Sequence, residues 1–165
     1  MTPLRIFNQL KNLGPEAFAA FLNKNAMGMD AYLKLQYDYI SPQKITAHCT
    51  VTKDHLQPYG LTHGGLYCSI GESVCSVGAT LVSVQSDQLA VGIQNTTHFH
   101  KASRQNTTFV IEAEPMVHSS PNQLLWAFKI SNKSSTLCAS GTVRLALVSE
   151  AAHVAGQGLN LNFEV

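Results

Sequence analysis

The run Gln57-Pro58-Tyr59-Gly60-Leu61-Thr62-His63-Gly64-Gly65 leads directly into Leu66-Tyr67-Cys68-Ser69-Ile70-Gly71-Glu72-Ser73-Val74-Cys75-Ser76-Val77-Gly78-Ala79. A paired glycine after a turn lets backbone N–H groups approach a ligand closely, and a helix beginning there points its positive end at that ligand. Leu66, Ile70, Val74, Val77 and Leu81 recur at helical spacing and form the apolar stripe of a helix lying on a core. Glu72 is two residues from both Ile70 and Val74, about 200° around the helix at about 100° per residue. It shares the opposite face with Gly65, Ser69 and Ser76, so the acid points away from the core. Gly71 and Gly78 cost helix propensity, so this helix must be held by packing, and its small residues suit a sheet wrapped closely around it.

Outward from that helix, the chain reads as helix, two strands, helix, four strands. Pro15 to Leu22 carries a first-turn proline and good helix formers. Leu33, Leu35, Tyr37 and Tyr39 alternate, as do Ile45, Ala47, Cys49 and Val51 after a Ser41-Pro42 turn, which predicts a hairpin. Candidate strands follow near 88–99, 107–117, 122–131 and 135–148. Leu124, Trp126, Phe128 and Ile130 share one face of the third of these, and Leu137, Ala139, Val143, Leu145 and Leu147 one face of the fourth. Strands in meander order with one long buried helix predict an α+β domain whose antiparallel sheet curls around that helix. The expected division is a helical extension over 1–27, the domain over 28–148, and a tail over 149–165, either flexible or docked on a neighbour.

Composition narrows the function classes. The 165 residues are 45% hydrophobic, enough for one real core. A net charge of +1 and a charged fraction of 13% give no footprint for nucleic acid or an anionic membrane, and suggest a surface covered in part by other subunits. Cys49, Cys68, Cys75 and Cys138 are scattered and read as small buried thiols rather than a disulfide framework. No signal peptide and no membrane-length apolar run are expected, so the chain reads as cytoplasmic.

Gln57, His63-Gly64-Gly65, Glu72 and Ser76 resemble the active-site signature of hotdog-fold acyl-CoA thioesterases of the 4-hydroxybenzoyl-CoA and 1,4-dihydroxy-2-naphthoyl-CoA type. The second type is the nearer: its Gln-Pro-Phe-Gly, two variable residues and His-Gly-Gly are similar to Gln57 through Gly65, with Tyr59 for the Phe. Its Asn-x-x-His segment is similar to Asn95-Thr96-Thr97-His98. The likeness spans roughly residues 28 to 148. It implies the hotdog fold, hydrolysis of an aromatic acyl-CoA with a place in menaquinone biosynthesis, CoA as part of the substrate rather than a cofactor, and a homo-oligomer, dimer or tetramer.

In that reading the Gly64 or Gly65 N–H stabilises the oxyanion, and Glu72 is nucleophile or general base. Gln57 orients water or thioester, Ser76 bonds the carboxylate or a substrate hydroxyl, and His63 holds the loop or the carbonyl. His98, His100, Lys101 and Arg104 form a cationic cluster for CoA phosphates, or else a solvated loop; the family has Arg where this chain has His100. His98 and His100 alone supply too few ligands for a metal. Broad short- or medium-chain acyl-CoA hydrolysis, acyl-thioester dehydration and non-catalytic acyl-CoA binding are the alternatives.

Overall fold

A computed structural model describes residues 10, 12–116, 120, 122–149, 151–154 and 156–158. In chain order the elements are α1 (Pro15–Lys24), α2 (Gly28–Leu33), β1 (Gln36–Ile40), β2 (Ile45–Thr50), a 3-10 turn (Lys53–His55), and α3 (Gly64–Ser83), which a second 3-10 turn extends (Val84–Ser86). Then follow β3 (Gln88–Phe99), β4 (Thr108–Pro115), β5 (Gln123–Asn132), β6 (Leu137–Ser149) and a two-strand hairpin of β7 (His153–Val154) and β8 (Gln157–Gly158). The main sheet has six antiparallel strands in the order β1-β2-β4-β5-β6-β3.

That order corrects the expected meander. After α3 the chain enters β3 at the far edge, paired with β6 from Gln88↔Ser149 to Phe99↔Ala139. It then crosses back to start β4 beside β2, with Thr50↔Thr108 and Ile45↔Ala113 in register. The reason is that α3 fills the concave face: a strand leaving its C-terminal end reaches the sheet on one side, and the return loop passes over the helix's other end. Residues 100–107 make that passage, tied by Thr62 N–H to the Ser103 carbonyl and by Asn106 N–H to the Val51 carbonyl, both 2.9 Å.

The inner face of the sheet closes on α3. Leu124, Trp126, Phe128 and Ile130 are all buried, as expected from their alternation, and so are Ala139, Val143 and Leu145. A Cβ on Gly71 would collide with the Phe128 ring, and one on Gly78 with the Trp126 indole. These two glycines therefore give up helix propensity of about 1 kcal/mol each for close approach of the Phe128 and Trp126 rings. Val77 lies at the margin of the buried stripe rather than inside it, while Tyr67, Cys75 and Ala79 join Ile70 and Val74 in the core.

Bulges explain two other departures from simple alternation. Leu33 ends α2, which Lys34 terminates in the left-handed region (φ 53°). A register shift between Tyr37 and Tyr39 then turns Tyr39 out of the inner row and brings Ile40 into it. A shift between Ile130 and Ser131 leaves Leu137 exposed and buries Cys138 instead.

α1 packs against β1 through Phe18 and Ala19, which belong to the same buried cluster as the sheet. Asn23 receives the Tyr37 N–H and donates to the Tyr37 carbonyl, each at 2.8 Å, so one side chain satisfies the outward backbone groups of an edge strand. All four cysteines are free; Cys49, Cys75 and Cys138 are buried. The expectation of no membrane-length apolar run needs amending: Gly64–Ser86 reaches that length with a mean hydropathy of 1.2, but half of it is buried in the protein, as befits a core helix.

Candidate active site

The start of α3 is built by a chain of local bonds. Gln57 opens a tight turn, its N–H donating to Leu61 and its carbonyl accepting from Gly60, both 2.9 Å, with Gly60 at φ +73°. His63 caps the helix: its Nδ1 accepts the Gly65 N–H at 2.9 Å, and its own N–H donates to the His55 carbonyl. Accepting at Nδ1 places the ring proton of neutral His63 on Nε2. His63 thus occupies the Gly65 donor in the first turn of α3, directly beside the Gly64 N–H. The Phe99 ring lies across this end, close enough that a Gly64 side chain would touch it.

A buried hydroxyl cluster fixes the crossing loop to the same end. Ser103 Oγ lies 2.6 Å from Thr62 Oγ1 and 2.7 Å from the Tyr67 hydroxyl. Burial pushes the Tyr67 hydroxyl pKa up, opposed by its bonds to Ser103 and Thr62. Lys101, on that loop, lines a cavity of about 370 Å³ together with Gln57, Gly64, Tyr67, Phe99 and His100; Arg104 is not part of the lining. Arg104 reaches toward Gly60. His100 is tied by Nε2 to Ser140 Oγ at 2.8 Å, whereas His98 is an exposed residue of β3 that does not line this cavity.

Glu72 lies further along α3, off the buried stripe of Ile70 and Val74, and is half-buried. Its Oε2 accepts a hydrogen bond from Asn95 Nδ2 at 2.9 Å. Asn95 also donates to the Cys68 carbonyl at 3.1 Å, and its Oδ1 accepts from Thr97 Oγ1 at 2.8 Å. The carboxylate's partner is thus Asn95 on β3 rather than Ser76, which instead lines the same cavity. That cavity, about 380 Å³, is bounded by Met29, Asp30, Ser69, Glu72, Ser76 and Val77. Oε1 rests against Gly92, where a Cβ would overlap it.

Two groupings therefore emerge within one chain: Gln57, Gly64, His100 and Lys101 at the helix start, and Glu72 with Ser76 further along. His63 and Gly65 line a third cavity of about 250 Å³ that shares Met29 and Ser69 with the Glu72 cavity. Eight residues of helix separate Gly64 from Glu72, roughly 12 Å at the α-helical rise. Asn95, Asp30 and Gly92 were not selected by sequence reasoning. Asn95 carries the one usable signal, an Asn in the segment resembling the family's; the other two touch the site only through the fold. Among the described residues no group of three or more His, Cys, Asp or Glu side chains converges as metal ligands would.

Comparison with known proteins agrees with this architecture. The thioesterase superfamily profile matches residues 59–139. A Mycobacterium tuberculosis (strain ATCC 25618 / H37Rv) protein provisionally named an esterase is 33% identical over 118 residues, 70% of this chain and 83% of that protein. The 1,4-dihydroxy-2-naphthoyl-CoA hydrolase of Escherichia coli K12 is 27% identical over 128 residues, covering 75% and 91% of the two chains. The crystal structure of S. sahachiroi AziG superposes with a TM-score of 0.70 at 31% identity, covering 74% of this chain and 98% of that one. Thioesterase HI1161 of Haemophilus influenzae shares the fold with a TM-score of 0.73 at 18% identity, covering 86% and 95%. With its six-stranded antiparallel sheet wrapped on α3, this chain belongs to the thioesterase superfamily and is a hotdog-fold thioester hydrolase.

Proposed function

We propose that the protein hydrolyses an aromatic acyl-CoA of the 1,4-dihydroxy-2-naphthoyl-CoA kind to the free acid and CoA, at a site completed by two copies of the chain. The observation that carries the reading is Glu72: a carboxylate held by Asn95, turned off the core, and bordering a cavity large enough for an acyl group. The hydrolase named in Escherichia coli supports the substrate class.

The separation of roughly 12 Å along one helix supports a shared site. A thioester carbonyl cannot contact Gly64 N–H and the Glu72 carboxylate of the same chain, so Gln57 and Gly64 of one copy face Glu72 of the other. β3 supplies the means of association: it is a twelve-residue edge strand with Ile93 and Phe99 more than half exposed. Pairing of two such edges buries both residues and gives a dimer, from which a tetramer can be built.

In this reading Gly64 N–H receives the developing oxyanion, a contact whose loss typically costs roughly a hundred- to thousandfold in rate. Gln57 orients the carbonyl or the water, and Glu72 attacks the acyl carbon or takes the proton of the attacking water. Asn95 keeps the carboxylate aimed. Lys101 and Arg104 meet the CoA phosphates at the mouth of the Gln57 cavity.

Met29, a flexible apolar wall, together with the apolar Val77, favours a second reading in which short or medium alkyl chains are also cleaved. Thiol release over a panel of aromatic and aliphatic acyl-CoAs separates the two. Glu72→Gln abolishes turnover of the preferred ester while acyl-CoA binding, followed by calorimetry, is retained; a fall of less than roughly tenfold, about 1.4 kcal/mol of barrier, removes Glu72 from the chemistry.

A further inference from the structure

The cavity beside Glu72 is bounded on one side by the short helix α2, which contributes Met29 and Asp30. Asp30 is fixed there from behind. Its Oδ2 accepts a hydrogen bond from the Tyr37 hydroxyl at 2.9 Å, and Tyr37 is only 4% exposed. Burial, and after it the Asp30 charge, push the Tyr37 hydroxyl pKa well up, so it stays a proton donor to the carboxylate. An ionised carboxylate offers about four lone-pair sites, of which Tyr37 engages one. Among the described residues no ion pair includes Asp30. A carboxylate held by a buried tyrosine, in no ion pair among the described residues and bordering the same cavity as a second acid, is placed to accept a hydrogen bond from a donor in that cavity. Ser69 and Ser76 add hydroxyls to the same lining, which Met29 and Val77 share as apolar members.

We infer that Asp30 is a specificity-determining residue: it accepts a hydrogen bond from a hydroxyl carried by the acyl group, so that hydroxylated acyl thioesters are preferred to their unsubstituted counterparts. The inference rests on the acyl group occupying the Glu72 cavity, as the proposed function has it. A neutral donor is what this lining favours. An acyl group bearing its own carboxylate meets two like charges there, and an unsubstituted arene leaves the free Asp30 oxygen without a partner and partly desolvated.

The test uses benzoyl-CoA and its 2-, 3- and 4-hydroxy isomers as matched substrates, with kcat/KM measured for each. The wild-type protein turns over at least one hydroxy isomer about tenfold faster than benzoyl-CoA, the discrimination of one charge-assisted hydrogen bond at a half-exposed site. Asp30→Asn keeps an oxygen to accept from Tyr37 but loses the charge, and the ratio shrinks to within about threefold. A purely structural role lowers all four substrates together and leaves the ratio unmoved, which overturns the inference, as does a wild-type protein indifferent to the hydroxyl. If Asp30→Asn fails to melt cooperatively, Tyr37→Phe takes its place: it retains the charge but releases its anchor, and a ratio unchanged there is equally fatal. Failure to cleave any acyl-CoA overturns the proposed function and this inference together, whereas cleavage with a flat hydroxyl ratio overturns this inference alone.

Discussion

Gly92→Ala separates the aim of Glu72 from the stability of the fold. Gly92 lies in β3 opposite Leu145, just before the register shift that precedes Gln94, and its missing side chain is where Glu72 Oε1 rests. A methyl group there must displace the carboxylate or the strand. The carboxylate is the cheaper to move: it ends a flexible side chain, and swinging it aside breaks the bond from Asn95, costing about 1–2 kcal/mol for a partly solvated charged hydrogen bond. Against this, alanine in place of a strand glycine recovers about 0.5–1 kcal/mol of backbone entropy. The net loss of stability is therefore about 0–1.5 kcal/mol, or a fall in Tm of at most roughly 6 °C for a chain of this size.

Activity responds on a different scale. Displacement of a reacting group by about 1 Å costs on the order of a hundredfold in rate, equivalent to about 2.7 kcal/mol of barrier. Gly92→Ala is expected to lower kcat about a hundredfold toward the Glu72→Gln level, with KM little changed and melting nearly that of the wild type. Steady-state kinetics beside differential scanning calorimetry make the comparison. A kcat within about threefold of wild type shows that the position of Glu72 does not matter to the chemistry. A fall in Tm beyond about 10 °C shows that β3 moved instead, and the reasoning about which group yields is wrong.

Other outcomes follow from the same geometry. Mixing Glu72→Gln chains with Gln57→Ala chains under subunit exchange restores activity that neither possesses alone, because one of the two hybrid sites recovers both groups; no recovery in verified hybrids places the whole site within one chain. Replacing Lys101 and Arg104 together by Ala raises KM for acyl-CoA and leaves kcat nearly unchanged, since a remote phosphate contact holds ground and transition states alike; an acyl-pantetheine substrate, lacking the nucleotide, is insensitive to the change. Native thiol labelling falls on Cys68 before the other three cysteines: burial pushes the Cys49 thiol up to about 12 and raises Cys75 and Cys138 as well, so these remain protonated and unreactive at pH 8. Labelling of Cys75 at the rate of Cys68, read by peptide mass spectrometry, contradicts the placement of α3 under the sheet.

How far the sequence reveals the site depends on how far apart its parts lie in the chain. The α3 pattern is local, so Leu66, Ile70 and Val74 disclose the buried side and Glu72 the open one by spacing alone, and the alternation of Leu124 to Ile130 discloses the inner face of β5 in the same way. Bulges at Tyr37/Tyr39 and Ile130/Ser131 break the period at positions with no glycine or proline to announce them. Strand order is a non-local property: the same alternating strands fit a meander, and only the need to lay α3 across the concave face sends β3 to the far edge. That one displacement decides much of the site. It sets Asn95 and Gly92 against Glu72, leaves β3 as the edge strand of the described sheet, and forces residues 100–107 back over the start of α3. A meander would have set β3 beside β2 and required no such crossing. The aim of the acid, the basic loop over the helix end and the proposed surface for association are thus three consequences of one topological choice, and under that proposal a variant that disturbs the β3 edge disturbs assembly and turnover together.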